Sequence, residues 1–226
     1  MKKLQSNSIP VSQEAIAGAA LYSKFALFFY DIIVMLFENH FVWKCSTRKI
    51  ISFYNTHISN KHLDVGVGTG YFLNNCKFPG KNPIIHLMDL NMNPLEKTSE
   101  RIKRYSPVIH QWNILEPVQI DLPKFDSICI SNILHCLPGD FNSKEIVFKN
   151  LRPFMNNNAI LFGLTILGKD VNTGFLYKIF NSIYNKRLIF SNSNDSFADL
   201  EKILKSNFDY YELKLIGSVA MFSCKK

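Results

Sequence analysis

Seven consecutive residues, Asp64-Val65-Gly66-Val67-Gly68-Thr69-Gly70, combine a carboxylate with three alternating glycines. A carboxylate can accept hydrogen bonds from a ligand, and glycine lets the backbone pass close by because it carries no Cβ. The third glycine follows one intervening residue rather than two, so the G-x-G-x-x-G spacing of dinucleotide turns is absent. Asp89 suits a pair of ribose hydroxyls, and the Asn113 amide suits the edge of an adenine. Met88, Leu90 and Trp112 offer apolar walls between them. Read together, these residues could hold a nucleoside; read alone, the glycines could be a structural turn.

The chemistry needs elements that bring those positions to one place. Residues 62–65 read as a strand running straight into the glycines, and a helix begins at Tyr71. A second strand over 83–88 ends at Asp89, and Pro94 suits the first turn of a helix reaching 105. A third strand, 107–112, ends at Asn113. A fourth, 125–130, leads into Ser131-Asn132-Ile133-Leu134-His135-Cys136-Leu137-Pro138-Gly139, where proline and glycine end local regularity. A helix over 142–151 precedes a fifth strand over 159–166, with 156–158 as a polar turn. Helices over 173–184 and 195–206 follow, Asp195 serving as a cap. Two last strands, 210–215 and 219–224, are separated only by Ile216-Gly217-Ser218, too short for a crossover and therefore an antiparallel hairpin. The expected fold is α/β: a Rossmann-like, seven-stranded, mostly parallel sheet with a terminal antiparallel hairpin and an N-terminal helical cap.

Ahead of the first strand, Ile16, Ala19, Ala20, Ser23, Leu27, Tyr30, Val34 and Phe37 recur at helical spacing, and Ser46 can cap a helix over 47–57. Residues 15–37 are strongly apolar, but Lys24 and Asp31 interrupt them, which favours a buried or interfacial helix over a membrane span. Stable membrane insertion is therefore disfavoured. The 226 residues fit one domain, with 1–58 as a cap over the acceptor site and 59–226 as the cofactor-binding core.

Composition excludes some classes. An apolar fraction of 47% supports a packed core. The 19 phenylalanines either fill that core or line a cavity. The formal charge of +8 is spread along the chain with no nucleic-acid-binding signature, so a nucleic-acid partner is disfavoured. Five separated cysteines without a C-x-x-C pair point to a reducing, cytoplasmic setting rather than a disulfide framework or zinc site. No H-E-x-x-H or compact carboxylate group calls for a metal.

The glycine loop at 64–70, Asp89 after the second strand and Asn113 after the third resemble the class I S-adenosylmethionine-dependent methyltransferases. Such a resemblance implies S-adenosylmethionine as cofactor. It implies contacts from Asp64, Gly66, Val67, Gly68 and Gly70, with Tyr71 over the methionine portion. Asp89 would lie at the ribose, Asn113 at the adenine with Leu90 as an apolar wall of that pocket, and 132–137, Asn132 included, beside the transferring methyl. Many family members carry Asp where this chain has Asn113, and an amide carbonyl can still meet the adenine amino group. Pro10-Val11-Ser12-Gln13-Glu14-Ala15, Tyr22-Ser23-Lys24 and the 134–139 segment resemble a smaller bacterial and fungal group, which names no acceptor.

His135 is the expected catalytic residue, because an imidazole can take a proton near neutral pH; the alternative is a structural role. Cys136 reads as a pocket wall, since nothing in the sequence stabilises its thiolate. Tyr22, Tyr30 and Trp43, with His135 and Cys136, are the expected substrate contacts, against ordinary packing of the N-terminal helices. Tyr54 and Arg48 could meet the cofactor's carboxylate. The expected reaction is methyl transfer to an N, O or C nucleophile of a small apolar or aromatic acceptor. Rival readings are an RNA or protein methyltransferase and a noncatalytic cofactor-binding protein; oligomeric state is unspecified.

Overall fold

The order of seven strands, β3-β2-β1-β4-β5-β7-β6, places the first strand centrally and lets crossovers run outward on both sides. The computed structural model describes residues 33–171 and 174–226. The expected helix over 16–37 lies largely outside them, as do Tyr22, Tyr30 and Thr173. A π-helical segment, Ile33–Val42, leads to helix α1 (Thr47–His57). Strand β1 (Lys61–Val65) enters the glycine loop and the short helix α2 (Tyr71–Asn75). Next come β2 (Ile84–Asp89), α3 (Met92–Arg101), β3 (Val108–Gln111) and β4 (Phe125–Cys129). Helix α4 (Phe141–Leu151), β5 (Met155–Ile166), α5 (Phe175–Lys186), α6 (Phe197–Asn207), β6 (Tyr210–Ile216) and β7 (Val219–Lys225) complete the chain.

Strands β1 to β5 pair in parallel, and β7 runs antiparallel to both β5 and β6. The expected α/β sheet with its closing hairpin is thus present. Side-chain alternation divides two cores. Leu63, Val65, Ile128, Ile130 and Phe222 meet α4 and α6 through Val147, Phe148, Leu200 and Leu204. On the opposite face Leu87, Cys129, Phe162 and Leu164 meet Ile50 and Tyr54 of α1, Phe72 of α2 and Tyr177 of α5. Full burial of such a side chain contributes about 1.5–3 kcal/mol, so these two layers hold the sheet and its helices together.

Two local expectations change. Residues 156–158 belong to β5 rather than to a turn before it. The polar run is tolerated because Asn158 adopts φ 64°, Asn156 Nδ2 donates to Asp126 Oδ1 at 2.7 Å, and the β4–β5 register shifts between Phe125 and Ser127. Asp195 is not the helix cap: Ser196 is, its Oγ accepting from the Asp199 N–H at 3.1 Å. The Asp195 side chain turns inward instead, to Lys144. Among the described residues no helix is long and apolar enough to cross a membrane.

Candidate active site

Parallel pairing of Val65 with Met88, and of Asp89 with Gln111, puts the ends of β1, β2 and β3 side by side. Gly66 N–H donates to Met88 O at 2.8 Å and Trp112 N–H to Asp89 O at 3.0 Å, which ties the three exits together. A cavity opens there, with Asp64 and the glycine loop as its floor, Asp89, Leu90 and Asn91 on one side, and Trp112 to Leu115 beyond. Ser131, Asn132, Ile133, Cys136, Leu137 and Pro138 after β4, with Ile189 after α5, form the opposite wall.

All three loop glycines have positive φ: 73° at Gly66, 53° at Gly68 and 69° at Gly70. A Cβ on Gly66 would stand 2.8 Å from Ile133, and one on Gly70 2.7 Å from Thr98. At Gly68 a Cβ would meet nothing within 4 Å, so this residue faces open cavity. Gly66 and Gly70 are fixed by packing, whereas Gly68 leaves room for a ligand.

Burial raises the pKa of Asp89 to about 6, opposed by backbone N–H groups of Asn91, Val67 and Leu90. The Asn91 N–H donates to Asp89 Oδ1 at 2.9 Å. Asp64 is likewise raised by burial, with His62 Nε2 3.8 Å away pulling it down. The indole N–H of Trp112 is buried and unpartnered, and Trp112 lines the cavity. An open cradle, a carboxylate held chiefly by backbone donors and an orphaned donor fit a ligand with a sugar and a heterocycle.

Asn113 lines the same space, but its Oδ1 accepts from the Leu115 N–H at 3.1 Å and its Nδ2 donates to Glu116 at 3.1 Å. Its side-chain amide is therefore engaged in its own turn. Asn132, at φ 58°, Val67 and Tyr71 are also walls. Tyr54 reaches the floor, where its hydroxyl lies 3.2 Å from Cys129 Sγ and its ring stacks on Phe72 at 5.3 Å. Burial pushes both the Tyr54 hydroxyl and the Cys129 thiol well up, so they stay protonated. Arg48 is exposed and is not a cavity wall.

The expected acceptor side divides. Cys136 lines the cavity with its thiol pushed up to about 12 by burial, so it is a neutral wall. His135 is 3% exposed and is not among the cavity walls. Its Nδ1 accepts the Ile166 N–H at 3.2 Å, its carbonyl accepts the Ser191 N–H at 2.7 Å, and its ring meets Phe190 at 4.4 Å. Burial lowers its pKa to about 3, with the nearby Lys144 charge adding to the effect. Trp43 is 1% exposed and sits among Tyr177, Tyr184 and Phe190 rather than on the cavity.

Sequence reasoning missed the buried ion pair behind this wall. Lys144 Nζ donates to Asp195 Oδ2 at 2.6 Å and to Ser191 O at 2.7 Å, with both charged side chains wholly buried. The signal was available, because Lys144 occupies the apolar stripe of α4 with Phe141, Phe148 and Leu151. Ile189, the far wall, was also missed; it follows α5 with no motif of its own.

A methyltransferase-domain family model matches residues 63–161, the span from β1 into β5. Demethylluteothin O-methyltransferase of Streptomyces thioluteus is 34% identical over 212 residues, covering 94% of this chain and 92% of that protein. Methyltransferase aurB of Calcarisporium arbuscula is 33% identical over 218 residues, covering 91% and 95% respectively. The N-methyltransferase NodS of Bradyrhizobium japonicum, solved with S-adenosyl-L-homocysteine, shares the fold with a TM-score of 0.54 at 13% identity, covering 80% of this chain and 87% of that one. The chain belongs to the class I S-adenosylmethionine-dependent methyltransferases, and S-adenosylmethionine is its methyl donor.

Proposed function

We propose that this methyltransferase alkylates an oxygen nucleophile on a small apolar or aromatic acceptor, held against the wall made by Ile133, Cys136, Leu137, Pro138 and Ile189. The observation that carries this reading is the character of that wall: apolar side chains adjoin the glycine loop, and the described lining contains no His, Lys or Arg. A polyanionic acceptor would call for cations there. The similarity to an O-methyltransferase favours oxygen over nitrogen or carbon as the attacked atom.

Bound S-adenosylmethionine supplies a methyl group already activated on a sulfonium sulfur. Asp89 would accept from the ribose hydroxyls, with Leu90, Trp112 and Asn113 around the adenine. Gly66, Val67, Gly68, Gly70, Tyr71 and Asp64 would hold the methionine portion, and Asn132 would stand beside the reacting centre. The chain then contributes chiefly orientation and exclusion of water, because a positioned electrophile needs only an aligned nucleophile. His135 would act on the wall rather than on the proton: it is neutral, buried and bonded to the end of β5. Residues 1–58 would close the acceptor side, a role that includes Tyr22 and Tyr30; Trp43 would anchor that cap from below.

The test is release of S-adenosyl-L-homocysteine from S-adenosylmethionine with a panel of phenols and enols, beside aryl amines, total RNA and denatured protein. Turnover confined to the hydroxylated aromatics and enols is expected. Turnover confined to RNA or protein would overturn the reading, and turnover on amines alone would move the attacked atom to nitrogen.

A further inference from the structure

Helix α5 carries an outward face that the cavity does not use. Its inner side is fixed: Tyr177, 6% exposed, donates to Leu167 O at 2.7 Å, and Tyr184 donates to the Glu38 carboxylate at 2.5 Å. Outward, Phe175 is 76% exposed, Leu176 41%, Ile179 36% and Ile183 39%, and Leu188 just past the helix is 49% exposed. Phe175, Leu176, Ile179 and Ile183 recur at spacings of three and four, so the helical positions form one stripe.

The charges beside that stripe have one sign. Lys178, Lys186 and Arg187 are exposed, and no Asp or Glu occurs between Phe175 and Leu188. Lys44 joins them at the start of the helix, its Nζ lying 3.7 Å from where a Cβ on Gly174 would stand. The acids around the helix are Asp170, in the preceding loop, Glu38, bonded to Tyr184, and Asp140, which shares a shallow surface hollow with Asn185 near the end of the helix.

We infer that α5 is a peripheral docking face for an anionic lipid bilayer. Exposed aromatic and aliphatic side chains can enter the interfacial region of a bilayer while lysine and arginine reach the headgroups from the flanks. Negative headgroups complement the one-sign charge, and a fluid surface needs no groove on the convex helix. Helix α5 leads directly to Ile189 in the cavity wall, so docking places the acceptor side of the enzyme beside the lipid.

Vesicle flotation of the full chain tests this. At low salt the protein is expected to float with equimolar phosphatidylcholine and phosphatidylglycerol, to stay behind with phosphatidylcholine alone, and to be released by salt. Phe175→Ser with Ile179→Ser, and separately Lys186→Gln with Arg187→Gln, should each lower partitioning about tenfold. Both variants should keep the affinity of the parent protein for S-adenosyl-L-homocysteine, which reports an intact core. Should the apolar variant lose that affinity, the charge variant decides alone. No flotation with the anionic vesicles, or equal flotation with phosphatidylcholine, would overturn the assignment. So would variants that float like the parent, which points to another face or to cover by residues 1–32, and so would a dimer that both variants disperse without any lipid binding, which points to a second copy.

Discussion

Two aspartates, half-buried Asp89 at the tip of β2 and wholly buried Asp195 before α6, both have their pKa raised to about 6 with the same leading cause, loss of water. Their surroundings differ. Asp195 is paired with Lys144 at 2.6 Å, and neither residue is a cavity wall. Asp89 is held chiefly by backbone N–H groups and lines the cavity. Lys144 partly offsets the desolvation of Asp195 inside the fold, and under the proposed function a ligand's hydroxyls would do the same for Asp89. One carboxylate would then serve stability and the other binding.

The sharpest break in that comparison is at the ion pair. Lys144→Met leaves Asp195 buried without its partner and should lower unfolding free energy by about 3–5 kcal/mol in urea titrations, whereas Lys144→Met with Asp195→Leu should recover most of it. Asp89→Ala should do the reverse: stability unchanged or raised, and calorimetric affinity for S-adenosyl-L-homocysteine down by about 1.5–3 kcal/mol for a lost charged hydrogen bond. If Asp89→Ala destabilised as strongly as Lys144→Met, the distinction would fail.

Two smaller effects sharpen it. Because the folded pKa of Asp89 is raised, the group favours folding fully at pH below its unfolded value, and this contribution fades as pH rises through about 6. Ligand affinity should move the other way, weakening as pH falls through about 6, and Asp89→Asn should flatten that dependence in calorimetry. His135 has the opposite sign to Asp89: its folded pKa is lowered to about 3, so its contribution to stability is present at neutral pH and is lost progressively as pH falls below its ordinary range. His135→Asn should accordingly leave the pH–rate profile above pH of about 6.5 unchanged. Loss in the variant of an inflection that the parent shows near there would restore His135 as a base.

Much of the β1–β3 side of the cavity was legible because its signals are local. Alternating glycines at the end of an apolar strand dictate a tight positive-φ turn, and each βα unit ends where its period changes. The short link between β6 and β7 forces antiparallel pairing. Asn113 was legible in position but not in bonding, since only the folded turn brings Leu115 N–H and Glu116 to its amide. Its neighbour Trp112 has the orphaned donor instead.

Sequence by itself thus determined the strand–helix order, the closing hairpin and the glycine loop, because hydrophobic period and backbone freedom are properties of neighbouring residues. Tertiary structure alone decided that Lys144 meets Asp195, that His135 is sequestered against Phe190, and that Ile189 joins the cavity wall. Desolvation and side-chain pairing depend on groups brought together from distant parts of the chain, and no local pattern encodes which of them arrive.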